Sequence, residues 1–281
     1  MISSIETFSK RHNWLICVDS DGTVIDAMNV KHIKCHGASL IEEWALTEHA
    51  AEVQTIWNKI NLFDRTRGVN RFIALFSMLN HLKENLLPVN PDELKALYNW
   101  INKGDLSNKS LKDEIKQNPS PLLQKALRWS LSLNEKIALL TPEDKPPFEG
   151  ALEGLQYAFG KVDIAVISSS NMSAILEEWT AHGLTKYIDV MTSQEVGTKE
   201  MCIARMLDKG YQADHVLMIG DAYPDVDASR ENGIWYYPIL TNREKESWEA
   251  FQRTYFDIFL SGSYGQYQQT LLNELENNFA K

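Results

Sequence analysis

Cysteine is scarce in this chain, and what there is does not pair. Cys17, Cys35 and Cys202 are odd in number, far apart and free of any CxxC spacing. That pattern argues against a disulfide framework or a thiolate zinc site and fits a reducing compartment, so a cytoplasmic location is expected. Long apolar runs are missing as well: none approaches the roughly 20 residues that span a bilayer. The opening MISSIETFSKRHNW is too polar to read as a secretory signal. Positive charge is in short supply, with a formal net charge of −10 over 281 residues and no basic tract to offset it. A surface of that sign repels nucleic acid, so neither a nucleic-acid nor a membrane partner is expected. A small anion remains admissible, because a pocket needs only a few local cations or a metal. There is no internal repeat or low-complexity stretch. What is present is ordinary for a globular protein: 44% hydrophobic residues, 23% charged, and enough length to bury a full core.

Five short apolar runs, at residues 14–18, 163–167, 188–192, 215–219 and 234–239, read as buried strands. From the second onward helical patterns alternate with them, notably 173–182 and 199–207. Strand and helix at this spacing imply right-handed crossovers and a parallel α/β sheet covered on both faces. A weaker run at 255–260 is read as a sixth strand, ahead of a final amphipathic helix over about 264–278. The interval 25–147 differs. It is rich in Leu, Trp, Lys and Glu at helical spacing, with breaks at 87–91, 118–121 and 141–147 where proline interrupts. It reads as an all-helical domain inserted into an α/β core made of 1–24 and 148–281.

Ligands of an open parallel sheet bind beyond the carboxyl ends of its strands, so the residues following each run carry the chemistry. The first run ends WLICVDSDGTV. Asp19 stands at the tip, ionised at neutral pH without help if its pKa is the ordinary value of about 3.9. A turn through Gly22 would return the Asp21 carboxylate over the same pocket, where it could give a proton to a leaving oxygen and take one from water. The fourth run ends VLMIGDAYPDVDAS. Asp221 takes the equivalent tip, with Asp225 four residues on, while Asp227 reads as a surface residue. Carboxylates converging from two tips repel one another unless a cation lies between them, and a hard, oxygen-liganded ion such as magnesium suits that set. The expected ligands are Asp19 and Asp221 by side chain and Asp21 by its backbone carbonyl, with Asp225 serving the same ion directly or through a water. The second run ends DIAVISSSNMS, where the Ser168 hydroxyl and the Ser169 N–H could donate to a phosphoryl oxygen and Ser170 or Asn171 could cap the helix. Lys199 sits at a helix start, where its charge opposes the dipole and calls for an anionic partner.

Taken together, DSDGT at 19–23, VISSSN, Lys199 and GDAYPD at 220–225 resemble, in order and spacing, the motifs of the haloacid dehalogenase (HAD) superfamily of phosphotransferases. The resemblance covers the whole α/β core. It implies a Rossmann-like fold, Mg2+, and an aspartyl-phosphate intermediate on Asp19 with Asp21 as acid and base. It also implies that Ser168 and Lys199 bind phosphate, that Asp221 binds metal, and that Thr23 positions Asp21. An insert after the first motif is similar to the helical cap of the phosphoglycolate phosphatase and beta-phosphoglucomutase branch. There a Gly-x-x-Arg loop presents an arginine to substrate, and DRTRGVNRF at 64–72 makes Arg71 its counterpart, with Arg65 and Arg67 adding positive charge. The insert is longer than usual, and Lys199 lacks the common following proline. Where the mutases carry a histidine after the first motif, this chain has Lys31, with His32 one later.

The reading is therefore a phosphomonoester hydrolase acting on a small phosphorylated metabolite. A sugar phosphomutase using the same intermediate is the alternative within the superfamily, and a non-catalytic binding protein on the same scaffold is the alternative outside it. Loss of the mutase histidine favours the hydrolase. Retention of Asp21 disfavours a dehalogenase, and retention of every expected acidic residue disfavours a mere binding module.

Overall fold

The computed structural model describes residues 2–84 and 86–280. The chain divides into two compact units, one made of residues 1–28 and 142–281, the other of 29–141. In the first, five strands form one parallel sheet: β1 (Leu15–Val18), β2 (Asp163–Ile167), β3 (Val190–Thr192), β4 (Val216–Gly220) and β5 (Trp235–Pro238). Their order is β3-β2-β1-β4-β5, so the chain winds one way from β1 and later returns to wind the other. The order reverses at β1, whose register with β4 aligns Val18 with Ile219, and ligands of open parallel sheets bind beyond the carboxyl ends of the strands at such a reversal.

Nearly every strand residue is buried, because the sheet is covered on both faces. The two-residue period of a strand sorts them. Ile16, Val18, Ile164, Val166, Leu217 and Ile219 face one core with Ile175, Trp179 and Phe251. Leu15, Cys17, Ala165, Ile167, Val216 and Met218 face the other with Cys202, Met206 and Val226. The run at 255–260 is not a strand. Residues Phe251–Tyr255 are π-helical and Phe256–Leu260 α-helical, continuing the helix Glu244–Ala250. Trp248, Phe251, Phe256 and Phe259 are all buried, a spacing of three to five that a helix satisfies and a strand does not. A six-residue apolar window is too short to separate the two.

Residues 25–28 and 142–147, read from sequence as part of the insert, stay with the sheet unit. The outgoing and returning segments bond to each other. Ile25 pairs antiparallel with Pro147, the Asp26 N–H donates to Pro146 O at 2.8 Å, and the Phe148 N–H donates to Val24 O at 2.9 Å.

Among the described residues, the second unit contains no strand. Its longer helices are Ala50–Leu62, Arg71–Leu82, Pro91–Ile101, Asn108–Gln117 and Pro121–Ala138. Proline begins two of them, where its missing N–H costs nothing, and Asn70, Asn90, Ser107 and Ser120 cap four. Their apolar faces meet in a separate core around Trp57, Phe72, Leu75, Trp100 and Trp129. Among the described residues no helix is long and apolar enough to cross a membrane.

Candidate active site

The turn after β1 is built by its backbone. Ser20 O accepts from the N–H groups of Val24 and Ile25, both at 2.9 Å, and Gly22 takes φ = 91°, a left-handed conformation that favours glycine. Two tryptophans hold this turn from the side. Trp179 Nε1 donates to Ser20 Oγ at 2.9 Å, and Trp248 Nε1 donates to the Thr23 carbonyl at 3.0 Å.

Asp19 emerges at the tip of β1, tied to the neighbouring strand by its N–H to Ile219 O at 2.9 Å. From β4, Gly220 passes the chain to Asp221 and then to the helix Tyr223–Glu231, which places Asp225 in its first turn. There the carboxylate accepts the Ala222 N–H at 3.3 Å and benefits from the helix dipole. Asp19, Asp221 and Asp225 are all buried, and each offers a carboxylate oxygen within 4.8 Å of the others. Lys199, the first residue of the helix Lys199–Leu207, finds anionic partners in two of these carboxylates. Its Nζ lies 2.9 Å from Asp19 Oδ1 and 2.6 Å from Asp225 Oδ1.

The electrostatics change the expectation for Asp19. Burial pushes its carboxyl well above the usual range, Lys199 pulls it back down, and Asp225 and Asp221 push it up again. Ionisation of Asp19 therefore depends on Lys199 and on any further cation in the site, not on the free-aspartate value. Burial also raises the Asp225 carboxyl against the pull of Lys199. For Lys199 itself burial opposes the charge, but Asp19 and Asp225 outweigh it and hold the ammonium above its ordinary range.

Thr23 lies elsewhere than expected: its hydroxyl donates to Asp221 Oδ1 at 2.9 Å, so it orients that carboxylate rather than Asp21. Ser168 is buried at the tip of β2, Ser169 is exposed, and Ser168 Oγ accepts the Ser170 N–H at 3.2 Å. Asn171, not Ser170, caps the next helix by accepting from the Ala174 N–H at 2.9 Å. Ser170 instead donates its hydroxyl to Asp21 Oδ2 at 2.9 Å, a contact that spacing alone does not signal. Asp227 is exposed, as its reading as a surface residue anticipates.

The GVNR segment belongs to the helical unit. Arg71 opens a helix and its Nη1 donates to Asn134 Oδ1 at 2.5 Å and Ser130 Oγ at 3.4 Å. Burial draws its guanidinium down to about 10, which leaves it protonated at neutral pH. Arg65 is exposed, whereas Arg67 is buried and donates to Leu62 O at 3.1 Å, so it serves the loop's own structure.

The donor set fits a small hard dication. Three buried carboxylates with oxygens within 4.8 Å of one another could serve together as the oxygen ligands of one divalent cation.

A model of the family described as haloacid dehalogenase-like hydrolase matches residues 63–237, a stretch that takes in Ser168, Lys199, Asp221 and Asp225 and begins beyond Asp19. No curated protein matches the sequence significantly. Similar solved structures include a predicted phosphoglycolate phosphatase from Haemophilus somnus, at 14% identity and a TM-score of 0.49, covering 80% of this chain and 84% of that one. A hydrolase from Pseudomonas syringae aligns at 15% identity and a TM-score of 0.48, covering 85% and 90%. A HAD-superfamily hydrolase of subfamily IA from Geobacter sulfurreducens aligns at 16% and 0.40, covering 82% and 89%. The family match spans more than half of the sequence, and the chain belongs to the haloacid dehalogenase-like hydrolases.

Proposed function

We propose that this hydrolase is a magnesium-dependent phosphatase of small phosphomonoesters that works through an aspartyl-phosphate on Asp19. The observation that carries the reading is the buried trio Asp19, Asp221 and Asp225 joined to Lys199. So many buried charges oppose folding unless they serve a ligand, and a phosphate with its cation is a ligand of the right sign and size.

Asp19, Asp221 and Asp225 would hold the magnesium, with the Asp21 carbonyl as a further ligand. When bound, the ion supplies positive charge against the phosphoryl oxygens. The residues supply the rest. Lys199 keeps Asp19 ionised and neutralises a phosphoryl oxygen, while the Ser168 hydroxyl and the Ser169 N–H donate to others. Asp19 attacks phosphorus as the ester P–O bond breaks, and Asp21 gives its proton to the departing alkoxide. Asp21, now ionised, takes a proton from the water that attacks the aspartyl-phosphate, and phosphate leaves. Arg71 is proposed to bind an anionic part of the substrate.

Asp19→Asn should abolish phosphate release, by at least about a thousandfold, while circular dichroism and thermal midpoint stay close to wild type. Excess chelator should stop turnover, and added magnesium should restore it. Turnover by the variant would remove Asp19 as nucleophile, and chelator-resistant turnover would remove the metal. Conversion of a sugar phosphate into its isomer without release of phosphate would make the enzyme a mutase.

A further inference from the structure

The segment that follows β2 grips the β1 turn at two points, and both lie beside the proposed acid and base. Trp179 holds Ser20, which is wholly buried between Asp19 and Asp21 in sequence, and Ser170 donates to Asp21 Oδ2 at 2.9 Å. Ser170 is itself fixed along its backbone. Its N–H reaches Ser168 Oγ at 3.2 Å, and its carbonyl accepts the Gln194 N–H at 3.1 Å from the segment following β3. The hydroxyl is available because Asn171 has taken over the helix cap. Three strand ends thus converge, through one hydroxyl, on one oxygen of Asp21.

We infer that Ser170 is a positioning residue for proton transfer, holding Asp21 Oδ2 so that Oδ1 is the oxygen that meets the leaving group. The inference rests on the phosphatase reading above. Ser170 gains and loses no proton in the cycle. Asp21 Oδ1 gives its proton to the ester oxygen as the P–O bond breaks and the Asp19–phosphorus bond forms, then recovers a proton from water. A serine hydroxyl suits this place because it can donate to the carboxylate or rotate to accept. Holding a carboxylate in one pose shortens the search for productive geometry, and about 1.4 kcal/mol from one hydrogen bond corresponds to a tenfold rate effect.

Leaving-group chemistry tests this directly. An alkoxide needs a proton as it departs, whereas p-nitrophenolate leaves without one, so a defect in the acid falls on alkyl esters. The measurement is kcat/KM of the magnesium-loaded enzyme over a series of alkyl and aryl phosphates, for wild type, Ser170→Ala, Ser170→Thr, Asp21→Asn and the Asp21→Asn/Ser170→Ala double variant. The expected result is a loss in Ser170→Ala roughly tenfold larger on alkyl than on aryl esters. Ser170→Thr, which keeps the hydroxyl, recovers most of it, and Ser170→Ala adds nothing once Asp21 is Asn. Equal losses across the series, or a full extra loss in the double variant, would overturn the positioning role and leave the phosphatase reading standing. A wild-type enzyme that releases no phosphate from any ester overturns both.

Discussion

At the scale of single residues, the site depends on where two glycines allow the backbone to go. Gly22 lets the β1 turn adopt a left-handed residue, and Gly220 makes room for Asp225. A Cβ on Gly220 would lie 2.4 Å from Asp225 Cγ and 2.5 Å from Oδ2, closer than real contacts allow. Gly220→Ala is therefore expected to push Asp225 away from Lys199, cost about 1–3 kcal/mol of stability, and lower phosphate release at least tenfold. A thermal midpoint and a turnover assay measure both, and unchanged turnover would mean that the Asp225 position is not needed. Much of the site was readable at this scale. Asp19, Asp221 and Lys199 announce themselves by standing at strand and helix ends, where backbone geometry alone fixes their placement. Hydroxyl directions were not readable. Whether Thr23 turns to Asp21 or Asp221, and whether Ser170 caps a helix or holds Asp21, depends on neighbours brought together from distant parts of the chain.

At the scale of elements, two π-helical turns stand out because wider turns bring unusual pairs of side chains together. In Lys31–Gly37, the His32 and His36 rings meet at a tilt of 36° with centroids 4.4 Å apart. Trp57 Nε1 donates to His32 Nδ1 at 3.1 Å, while His36 Nδ1 is buried with no hydrogen-bond partner. Burial, followed by His32, Arg71 and Lys31, holds the His36 imidazole well below its ordinary 6.5. It is neutral in the folded unit and charged in the unfolded chain at mildly acid pH. Its contribution is therefore intact above about pH 6.5 and drains away as pH falls below that value, by up to about 1.4 kcal/mol per pH unit for one proton. Urea midpoints taken from about pH 7 to about pH 5 should fall more steeply for wild type than for His36→Phe; parallel slopes would show that His36 is not the group responsible. The second π-helical turn, Phe251–Tyr255, leads into the stretch misread as a strand. Local apolarity could not reveal it, because the deciding feature is the spacing back to Trp248, outside the window that looked strand-like.

At the scale of the whole molecule, the division into two cores was visible in the sequence as a change of period. A single strand gives way at about Ile25 to helical spacing broken only at prolines, and alternation of strand and helix begins after Pro147. The exact limits were hidden because the crossing segments pair with each other, and pairing between segments over a hundred residues apart leaves no local pattern. Each unit buries its own tryptophans and leucines, so unfolding should not be a single two-state event, and the calorimetric enthalpy should exceed the van 't Hoff value. Leu75→Ala, at a fully buried position in the helical unit, should destabilise that unit by about 2–5 kcal/mol and lower its transition. Magnesium should raise the transition of the sheet unit, which holds the carboxylates. One transition that moves as a whole under both perturbations would rule out independent cores.

The paired segments at Ile25 and Pro147 have a consequence for how such an enzyme can diversify. Because the outgoing and returning chains are clasped to each other within the sheet unit, the junction is closed by that unit's own hydrogen bonds. Asp19, Lys199, Asp221 and Asp225 all belong to that same unit. The stretch from Asn29 to Thr141 should therefore tolerate being lengthened, shortened or exchanged by grafting at the clasp while those four residues keep their places.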